Sequence, residues 1–401
     1  MIEVRNERRI CFIYYAKFNS ILYREAKSLK DRGFDVDVIC LKDSGKDNIV
    51  QSFQGINLYC IQSRDEREKN VSSYFVNLAM YFFKTIIVLC WLGIKKKYDI
   101  VHVTSPPDIL IFAAIFPKIM GSKLILDIHD IGPELYMRKV SKPENALVIK
   151  LLKYFEKISI HFADHVITVT DLWRNKLISR SVPAYKCTSI LNVPDDGIFT
   201  PYATKNKTSN NSRLVLSYHG SLEEHFGVDL LLEVMPSVRS QIPNIELVIY
   251  GVGRLKKNII DKVRKNRMGD YVHINDGVPF YTLPMVLQNS DIGVVPTKDN
   301  VFSGEALSMK ALEYMSLGIP VIISRTPAHS YYYDDSMVKF FIPCDKKDIT
   351  KAIVELCEDN IARQELVDNA KIFIMEHGWH REKEKYFKII DKLLAMRCME
   401  S

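Results

Sequence analysis

Short apolar runs alternate with longer amphipathic segments along the first half of the chain. ICFIYY, DVDVICL, DIVHVT, KLILDI and HVITVT have the length and the β-branched and aromatic content of buried strands. Between them lie helical patterns, such as SILYREAKSLKDRG with its glycine stop at Gly33, and ALVIKLLKYFEKISIHFA. This alternation predicts a doubly wound parallel sheet with helices on both faces.

The alternation stops once and then begins again. Residues 194–212 are rich in Pro, Gly, Ser, Thr and Asn, and after them come the strand-like runs RLVLSYHG, IELVIYG, YVHIN, DIGVVP and IPVIIS. A chain of 401 residues also suits two α/β domains better than one large core. We therefore predict an α/β protein with two Rossmann-like doubly wound domains, residues 1–193 and 213–377, a linker at 194–212 and a C-terminal helix at 378–401.

One apolar segment, VSSYFVNLAMYFFKTIIVLCWLGI at residues 71–94, approaches the ~20 residues that a membrane span needs. Lys84 in its middle would cost about 3 kcal/mol in a bilayer. The strands before and after it are predicted neighbours in one sheet, and a span would separate them. We therefore predict a helix packed on the sheet. The alternative is a helix with one face on the membrane, beside Lys95, Lys96 and Lys97.

Charge and cysteine content narrow the function classes. The 55 basic and 48 acidic residues leave a net charge of +7, which suits phosphates or an anionic membrane, but no Lys/Arg-rich block indicates nucleic-acid binding. The eight cysteines include no C-x-x-C pair, as expected for free thiols in a reducing compartment. No secretory signal is recognised. We expect a cytoplasmic protein, either fully soluble or peripheral on the inner face of the cell membrane.

Glycines follow two predicted strands of the C-terminal half, where ligands bind in sheets of this type. Gly220 lies in YHGS, and Gly251 and Gly253 lie in YGVG. Glycine lets backbone N–H groups approach a phosphate, and a helix N-terminus adds its dipole. A tight turn alone would also require glycine, so a lone G-x-G leaves both interpretations open.

A third segment of the C-terminal half, GEALSMKALEYMSLG, carries charged residues. Seven residues separate Glu305 from Glu313, and Lys310 lies three residues before Glu313, on the same face if this part is helical. Carboxylates suit ribose and sugar hydroxyls, and lysine suits phosphate. A solvated helix face with an ion pair is the alternative, but the flanking strands DIGVVP and IPVIIS favour a functional site.

The N-terminal half has one comparable cluster. The strand KLILDI runs into HDIGPE, which places His129, Asp130 and Glu134 near a strand end. Such residues serve as acid/base groups or as ligands of sugar hydroxyls, or they only cap a helix. Because His129 alone offers a nitrogen ligand, we expect no metal. Ser105, after DIVHVT, is predicted to lie on the same edge of the sheet.

In order and spacing, these segments resemble the family-4 retaining glycosyltransferases of the GT-B fold, of the bacterial polysaccharide-biosynthesis type. The resemblance is strongest from YHGSLEEHFGVDLLLEV through IELVIYGVG to EALSMKALEYMSLGIPVI, where Glu305 and Glu313 match the family's E-x7-E signature. YDIVHVTSPP, FADHVITVT and ILNVPDDGIF extend it over the N-terminal half, and HGWHREKEKY resembles the family's crossover helix.

The resemblance implies two domains around a cleft, with the acceptor on the N-terminal and the donor on the C-terminal domain. It implies transfer of a sugar from a nucleotide diphosphate sugar, above all a UDP-sugar, to a saccharide or lipid-linked acceptor in cell-surface polysaccharide synthesis. It also implies that no metal or other cofactor is needed, because cationic side chains and helix dipoles neutralise the leaving diphosphate.

Roles for single residues also follow from the resemblance. The implied catalytic residues are His129, Lys310 and Glu305. The implied donor-binding residues are Gly220, Ser221, His225, Gly251, Gly253, Val278, Ala306, Leu307 and Glu313. The acceptor-side candidates are Ser105, Asp130 and Glu134.

The sequence departs from the family at two positions. Ser221 and Phe226 stand where family members often carry Arg and Lys for the diphosphate. A branch of the family has instead a basic residue, an aromatic residue and Gly, which His225-Phe226-Gly227 resembles, with Lys310 supplying charge. Two other functions stay open: a nucleotide-sugar 2-epimerase, and a catalytically silent nucleotide-sugar-binding subunit of a transferase complex.

Overall fold

The chain forms two compact α/β units. The computed structural model describes residues 8–42, 50–63, 71–140, 146–201, 213–300 and 303–400. One unit comprises the chain up to Leu191 together with the segment from Glu382 onward, and the other comprises Asn192–Arg381. Each unit has its own largely parallel sheet, which confirms the predicted fold class.

The described part of the first unit holds an eight-stranded sheet in the order β3-β4-β2-β1-β5-β6-β7-β8. Its strands are β1 (Arg9–Lys17), β2 (Asp35–Leu41), β3 (Val50–Phe53), β4 (Ile56–Gln62), β5 (Ile100–Ser105), β6 (Lys123–Ile128), β7 (His165–Thr168) and β8 (Cys187–Ser189). Neighbouring strands are parallel except β3 and β4, which form an antiparallel hairpin at the edge. The strand order reverses between β1 and β5, where sheets of this type bind ligands beyond the carboxyl ends of the strands.

Helices connect these strands. They are α1 (Ser20–Asp31), α2 (Val71–Lys95), α3 (Ile115–Ile119), α4 (Gly132–Val140), α5 (Leu147–Phe162) and α6 (Asp171–Arg180), with 3-10 segments at Asp108–Ala114 and Ala184–Lys186. Side-chain caps fix two of the starts: Asn19 accepts the backbone N–H of Leu22, and Thr170 accepts that of Trp173, both at 3.1 Å.

Helix α2 is the apolar segment predicted to pack on the sheet, and only one of its faces does so. Leu78, Tyr81, Leu89 and Leu92 are buried, and the Tyr81 hydroxyl donates to backbone carbonyls of β1 and β2. The opposite face is exposed although it is also apolar, because the helix packs on the sheet with one face only. Ile87 on the exposed face, for example, is 67% exposed. By length and composition, it is the one helix among the described residues that is long and apolar enough to cross a membrane. Of the apolar 18-residue window within Ser72–Lys95, 28% is buried.

The second unit holds a six-stranded parallel sheet among its described residues, in the order β11-β10-β9-β12-β13-β14. The strands are β9 (Leu214–His219), β10 (Ile245–Tyr250), β11 (Val272–Asn275), β12 (Ile292–Val295), β13 (Val321–Ser324) and β14 (Lys339–Phe341). Apolar side chains of β9, β10 and β12 pack with α7 (Val228–Gln241) in the core of the unit. The order reverses between β9 and β12, which marks the expected ligand edge of this sheet.

The remaining helices of the chain follow in order. They are α8 (Lys256–Lys265), α9 (Leu283–Leu287), α10 (Met309–Ser316), α11 (Pro327–Tyr332), α12 (Lys346–Glu358), α13 (Asn360–His377) and α14 (Trp379–Glu400), with a 3-10 segment at Glu224–Phe226. The part of α14 from Glu382 onward belongs to the first unit. There Glu382 accepts the backbone N–H of Leu191 at 3.0 Å, and Asp391 pairs with Arg32 at 3.1 Å.

The structure adds four strands to those that the sequence pattern indicates. β3 and β4 extend the first sheet as a hairpin, and the three-residue strands β8 and β14 each lie at one edge of a sheet. β3, β8 and β14 have four residues or fewer, too few for a clear apolar periodicity, whereas β4 does alternate, with every second residue buried. The predicted linker, residues 194–212, lies partly outside the described residues.

Candidate functional site

Two loops at the ligand edge of the second sheet pack directly on each other. The N–H of Gly220, after β9, donates to the carbonyl of Tyr250 at 2.9 Å, and the N–H of Leu222 donates to that of Val252 at 2.8 Å. A Cβ atom at Gly251 would lie 2.3 Å from the Gly220 carbonyl oxygen, and one at Gly253 would lie 2.5 Å from that of Leu222. This close packing accounts for both glycines of the G-x-G, and their contact with a donor stays a prediction.

Lys310 lies over Gly220. The glycine has φ +106°, and a Cβ atom there would come within 2.7 Å of the Lys310 Cε. The Lys310 ammonium lies 3.6 Å from the centre of the Phe226 ring and 5.6 Å from that of Tyr218, and both rings attract a cation. The structure therefore brings Lys310, the predicted phosphate ligand, to the backbone of the YHGS loop.

Glu313 and His219 complete this cluster. Glu313 lies three residues after Lys310 in α10 and is buried, with its carboxylate 3.4 Å from His219 Nε2. Burial lowers the pKa of Lys310 to about 8, and the charge of Glu313 opposes this fall. Burial raises the pKa of Glu313 to about 8, and the charge of Lys310 opposes this rise.

The same low-dielectric surroundings act on the histidine. Burial, together with the charge of Lys310, lowers the pKa of His219 to about 3, so the ring is neutral near pH 7. At that pH the carboxyl group of Glu313 keeps its proton and Lys310 keeps its charge. The cluster then has one net positive charge in an apolar surround, which suits an anionic ligand.

Tyr314 ties α10 to the sheet. Its hydroxyl donates to the Ser217 carbonyl at 2.9 Å and accepts from the Ser217 hydroxyl at 3.2 Å, so the helix is tied to β9. The ring packs on Gly293 of β12, where a Cβ atom would lie 2.4 Å from it. Because the residue is adjacent to Glu313, these contacts also position the cluster.

The other predicted donor residues lie around this edge of the second unit. Glu305, Ala306 and Leu307 are partly buried and precede α10, which begins at Met309. Ser221 is exposed, and its carbonyl accepts the Tyr218 hydroxyl at 2.7 Å. His225 is partly buried with its ring 4.0 Å from that of Phe226, and Val278 lies in the loop after β11. Their roles toward a donor stay predictions.

In the first unit, the HDIGPE cluster is held by a buried carboxylate. Asp127, the last polar residue of β6, accepts the Nε2 of His129 at 2.6 Å and the Nε2 of His102 from β5 at 3.2 Å. Burial alone would raise the pKa of Asp127. The interactions with His129 and His102 outweigh burial and hold this pKa well below its ordinary value. Burial would lower the pKa of His129, and Asp127 outweighs burial and raises it.

Three members of this cluster are not indicated by the sequence pattern: His102, Tyr386 and Glu25. The Tyr386 hydroxyl from α14 meets His102 Nδ1 at 2.8 Å, and Glu25 of α1 is buried 4.0 Å from His102 Nε2 and paired with Arg24 at 3.4 Å. Ligand atoms of Glu25, His102 and Asp127 lie within 4.8 Å of one another, close enough to share a cation. Both His102 nitrogens already have hydrogen-bond partners, so the set fits a metal poorly.

The acceptor-side candidates fall in different surroundings. The Ser105 hydroxyl donates to Asp108, whose pKa burial raises to about 7. Asp130 is partly buried beside His129. Glu134 is held in a separate buried network, where it binds Arg180 at 2.7 Å and Arg180 also binds Glu156 at 2.6 Å. The structure thus gives Glu134 a structural partner apart from the His129 cluster, and contact with an acceptor stays a prediction for all three.

Each half of the chain matches the model of a known protein family. Residues 19–196 match the family model for Glycosyltransferase Family 4, and residues 202–373 match that for Glycosyl transferases group 1. The chain is 25% identical over 327 residues to the chitobiosyldiphosphodolichol beta-mannosyltransferase of Debaryomyces hansenii, which covers 72% of this chain and 68% of that protein. It is 22% identical over 384 residues to one of the subunits of the human phosphatidylinositol N-acetylglucosaminyltransferase, covering 93% and 72%.

Solved structures share the fold at lower sequence identity. Sucrose-phosphate synthase from Thermosynechococcus elongatus superposes with a TM-score of 0.78 at 17% identity, covering 97% of this chain and all (100%) of that one. HepE of Anabaena, solved with UDP and glucose, gives 0.71 at 13% identity, covering 96% and 100%. The chain therefore has the GT-B fold, and its first and second halves match the family models for Glycosyltransferase Family 4 and Glycosyl transferases group 1.

Proposed function

We propose that the protein transfers a sugar from a nucleotide diphosphate sugar, above all a UDP-sugar, to a lipid-linked or free saccharide with retention of configuration. The observation that carries this proposal is the Lys310 cluster, a desolvated cation over Gly220 beside a buried carboxyl group. It lies at the switch point of the sheet in the group 1 domain.

In the proposed reaction an acceptor hydroxyl oxygen forms a bond to the anomeric carbon while the bond between that carbon and the diphosphate breaks, and negative charge develops on the leaving oxygen. Lys310 stabilises that charge, and the backbone at Gly220 and the N-terminus of α10 add oriented dipoles. Glu313 binds the ribose hydroxyls. We propose no enzyme nucleophile: the leaving phosphate helps to take the acceptor proton. We also propose no metal, because Lys310 and the dipoles supply the positive charge.

Replacing Lys310 tests this assignment. We expect Lys310→Ala to lower kcat about 100-fold, since one lost electrostatic donor costs about 3 kcal/mol of barrier. Lys310→Met, which keeps the length of the side chain without its charge, should lose as much. The measurement is sugar transfer from labelled UDP-sugars to lipid extracts or saccharide acceptors.

Lys262→Ala is the control for the loss of a lysine in the same unit. That residue forms a partly exposed ion pair with Glu233, which contributes little to stability, and its loss should leave transfer unchanged. Wild-type transfer rates in Lys310→Ala would contradict the proposed role of this lysine.

Gly220→Ala provides a second test, through binding and not through chemistry. The new methyl group would meet Lys310 at 2.7 Å and strain a backbone with positive φ, so the lysine must shift while the fold persists. We expect nucleotide affinity, measured by titration calorimetry, to fall at least tenfold. Gly269→Ala adds its methyl group in open space and should bind like the wild type; equal affinity in both variants would contradict the site.

The acceptor proposal draws on the relatives and on α2. By their names, the two relatives act on a diphosphodolichol-linked saccharide and on phosphatidylinositol, so both acceptors carry a lipid. The exposed face of α2 is apolar at helical spacing, through Val76, Met80, Phe83, Ile87, Trp91 and Ile94. Lys84 and Lys95 are exposed beside it, and Lys95 lies 4.2 Å from the centre of the Trp91 ring.

An apolar stripe flanked by lysines fits the interface of an anionic membrane. We therefore propose a protein that is peripheral on the cytoplasmic face of a membrane and acts on a lipid-linked saccharide in cell-surface polysaccharide assembly. A water-soluble saccharide acceptor would contradict this part of the proposal without affecting the donor site.

Vesicle binding tests the apolar face of α2. Burying one such side chain contributes about 1.5–3 kcal/mol, so Ile87→Asp should weaken binding to vesicles of phosphatidylglycerol and phosphatidylcholine at least tenfold. Ile372→Asp makes the same change at another exposed isoleucine, 56% exposed, and should bind like the wild type. Co-sedimentation measures both, and equal losses in the two variants would rule out a specific membrane face.

A silent subunit is the second candidate function. Ser221 and Phe226 replace basic residues that family members often use, and Phe226 itself lies against Lys310. This candidate predicts nucleotide binding without transfer until a partner enzyme is added. An epimerase would instead convert the nucleotide sugar without any acceptor.

A further inference from the structure

Four buried side chains form a continuous hydrogen-bonded chain in the first unit. It runs from the Tyr386 hydroxyl to His102 Nδ1 (2.8 Å), from His102 Nε2 to Asp127 (3.2 Å), and from Asp127 to His129 Nε2 (2.6 Å). Its members come from α14, β5, β6 and the loop after β6. Tyr386, His102 and Asp127 are at most 1% exposed, whereas the side chain of His129 is 12% exposed.

The direction of each hydrogen bond follows from the partners. Among the described residues Tyr386 has His102 as its hydrogen-bond partner, so its buried O–H donates to Nδ1 rather than stay unsatisfied. His102 then carries its proton on Nε2 and donates it to Asp127. Asp127, which can only accept hydrogen bonds, accepts a second one from His129 Nε2.

The charges around His129 favour a proton on both of its nitrogens. Asp127 is the nearest anion, and Glu25 and Asp130 add to its effect, while burial opposes it. Arg24 pairs with Glu25 and reduces the contribution of that carboxylate. With Nε2 occupied by Asp127, Nδ1 is the ring nitrogen that remains to donate a hydrogen bond to a ligand.

We infer that Tyr386, His102 and Asp127 are positioning residues, which hold His129 as an imidazolium whose Nδ1–H donates to the substrate. The inference rests on the proposed function only for what Nδ1–H contacts. It makes the C-terminal helix part of the active site, through Tyr386, although the sequence pattern indicates no site residue in that helix. It also predicts that transfer falls as pH rises through the His129 pKa, where the imidazolium loses its proton.

The test is NMR titration of the full chain labelled with 15N-histidine, assigned with His102→Gln and His129→Gln. In the wild type we expect His102 in the Nε2–H form, and His129 titrating above the ordinary value of about 6.5. Asp127→Asn removes the opposite charge, and the His129 midpoint should fall by about 1 to 3 pH units. Tyr386→Phe should mix the His102 tautomers.

Tyr333→Phe is the matched control for Tyr386→Phe. Its buried hydroxyl has no hydrogen-bond partner among the described residues, so both histidine spectra should stay unchanged. The alkaline limb of the kcat–pH profile should move down with the His129 midpoint in Asp127→Asn and stay in place in Tyr333→Phe. If Asp127→Asn does not fold, the wild-type titration and Tyr386→Phe decide.

The outcomes separate this inference from the proposed function. A wild-type His129 midpoint at or below 6.5, or one unchanged by Asp127→Asn, overturns the positioning chain even if transfer is active. The expected spectra in a protein without transferase activity would support the chain and contradict the proposed function.

Discussion

Desolvation of the partly buried Lys310 ammonium is the constraint on which the site of the second unit depends. A desolvated charge is costly unless its surroundings compensate, and here the rings of Phe226 and Tyr218 do so only in part, since Glu313 keeps its proton near pH 7. An anionic ligand would complete the compensation. The same contact explains the glycine, because a Cβ atom at position 220 would come within 2.7 Å of the Lys310 Cε on a backbone with φ +106°.

In the first unit, by contrast, the buried carboxylate of Asp127 has hydrogen-bond partners within the protein. The Oδ2 atom of Asp127 accepts from two histidines, and the chain of hydrogen bonds continues through His102 to Tyr386. A network of this kind orients its members, although the Asp127 Oδ1 and Glu25 Oε2 atoms have no hydrogen-bond partner among the described residues. The Lys310 cluster of the second unit therefore suits an anionic ligand, whereas the first unit offers a single oriented donor, His129.

The sequence predicts most of the strands and the Lys310–Glu313 pair, because both depend on local periodicity: strands alternate with helices, and side chains three positions apart share one helical face. It does not predict Tyr386 or Glu25, which are 284 and 77 residues from His102 and meet it only through the tertiary fold. Nor does it settle the bare face of α2. An all-apolar helix looks buried by composition, and only the structure shows that the sheet covers one side of it.

We propose that the Lys310 cluster binds a nucleoside diphosphate without a metal. Titration calorimetry with UDP, GDP and ADP, each with and without EDTA, measures this binding. We expect one nucleotide to bind the wild-type chain equally with and without EDTA, and at least tenfold more weakly when Lys310 is replaced by Met. Absence of binding by all three nucleotides, binding that EDTA abolishes, or equal affinity in the Lys310→Met variant would contradict it.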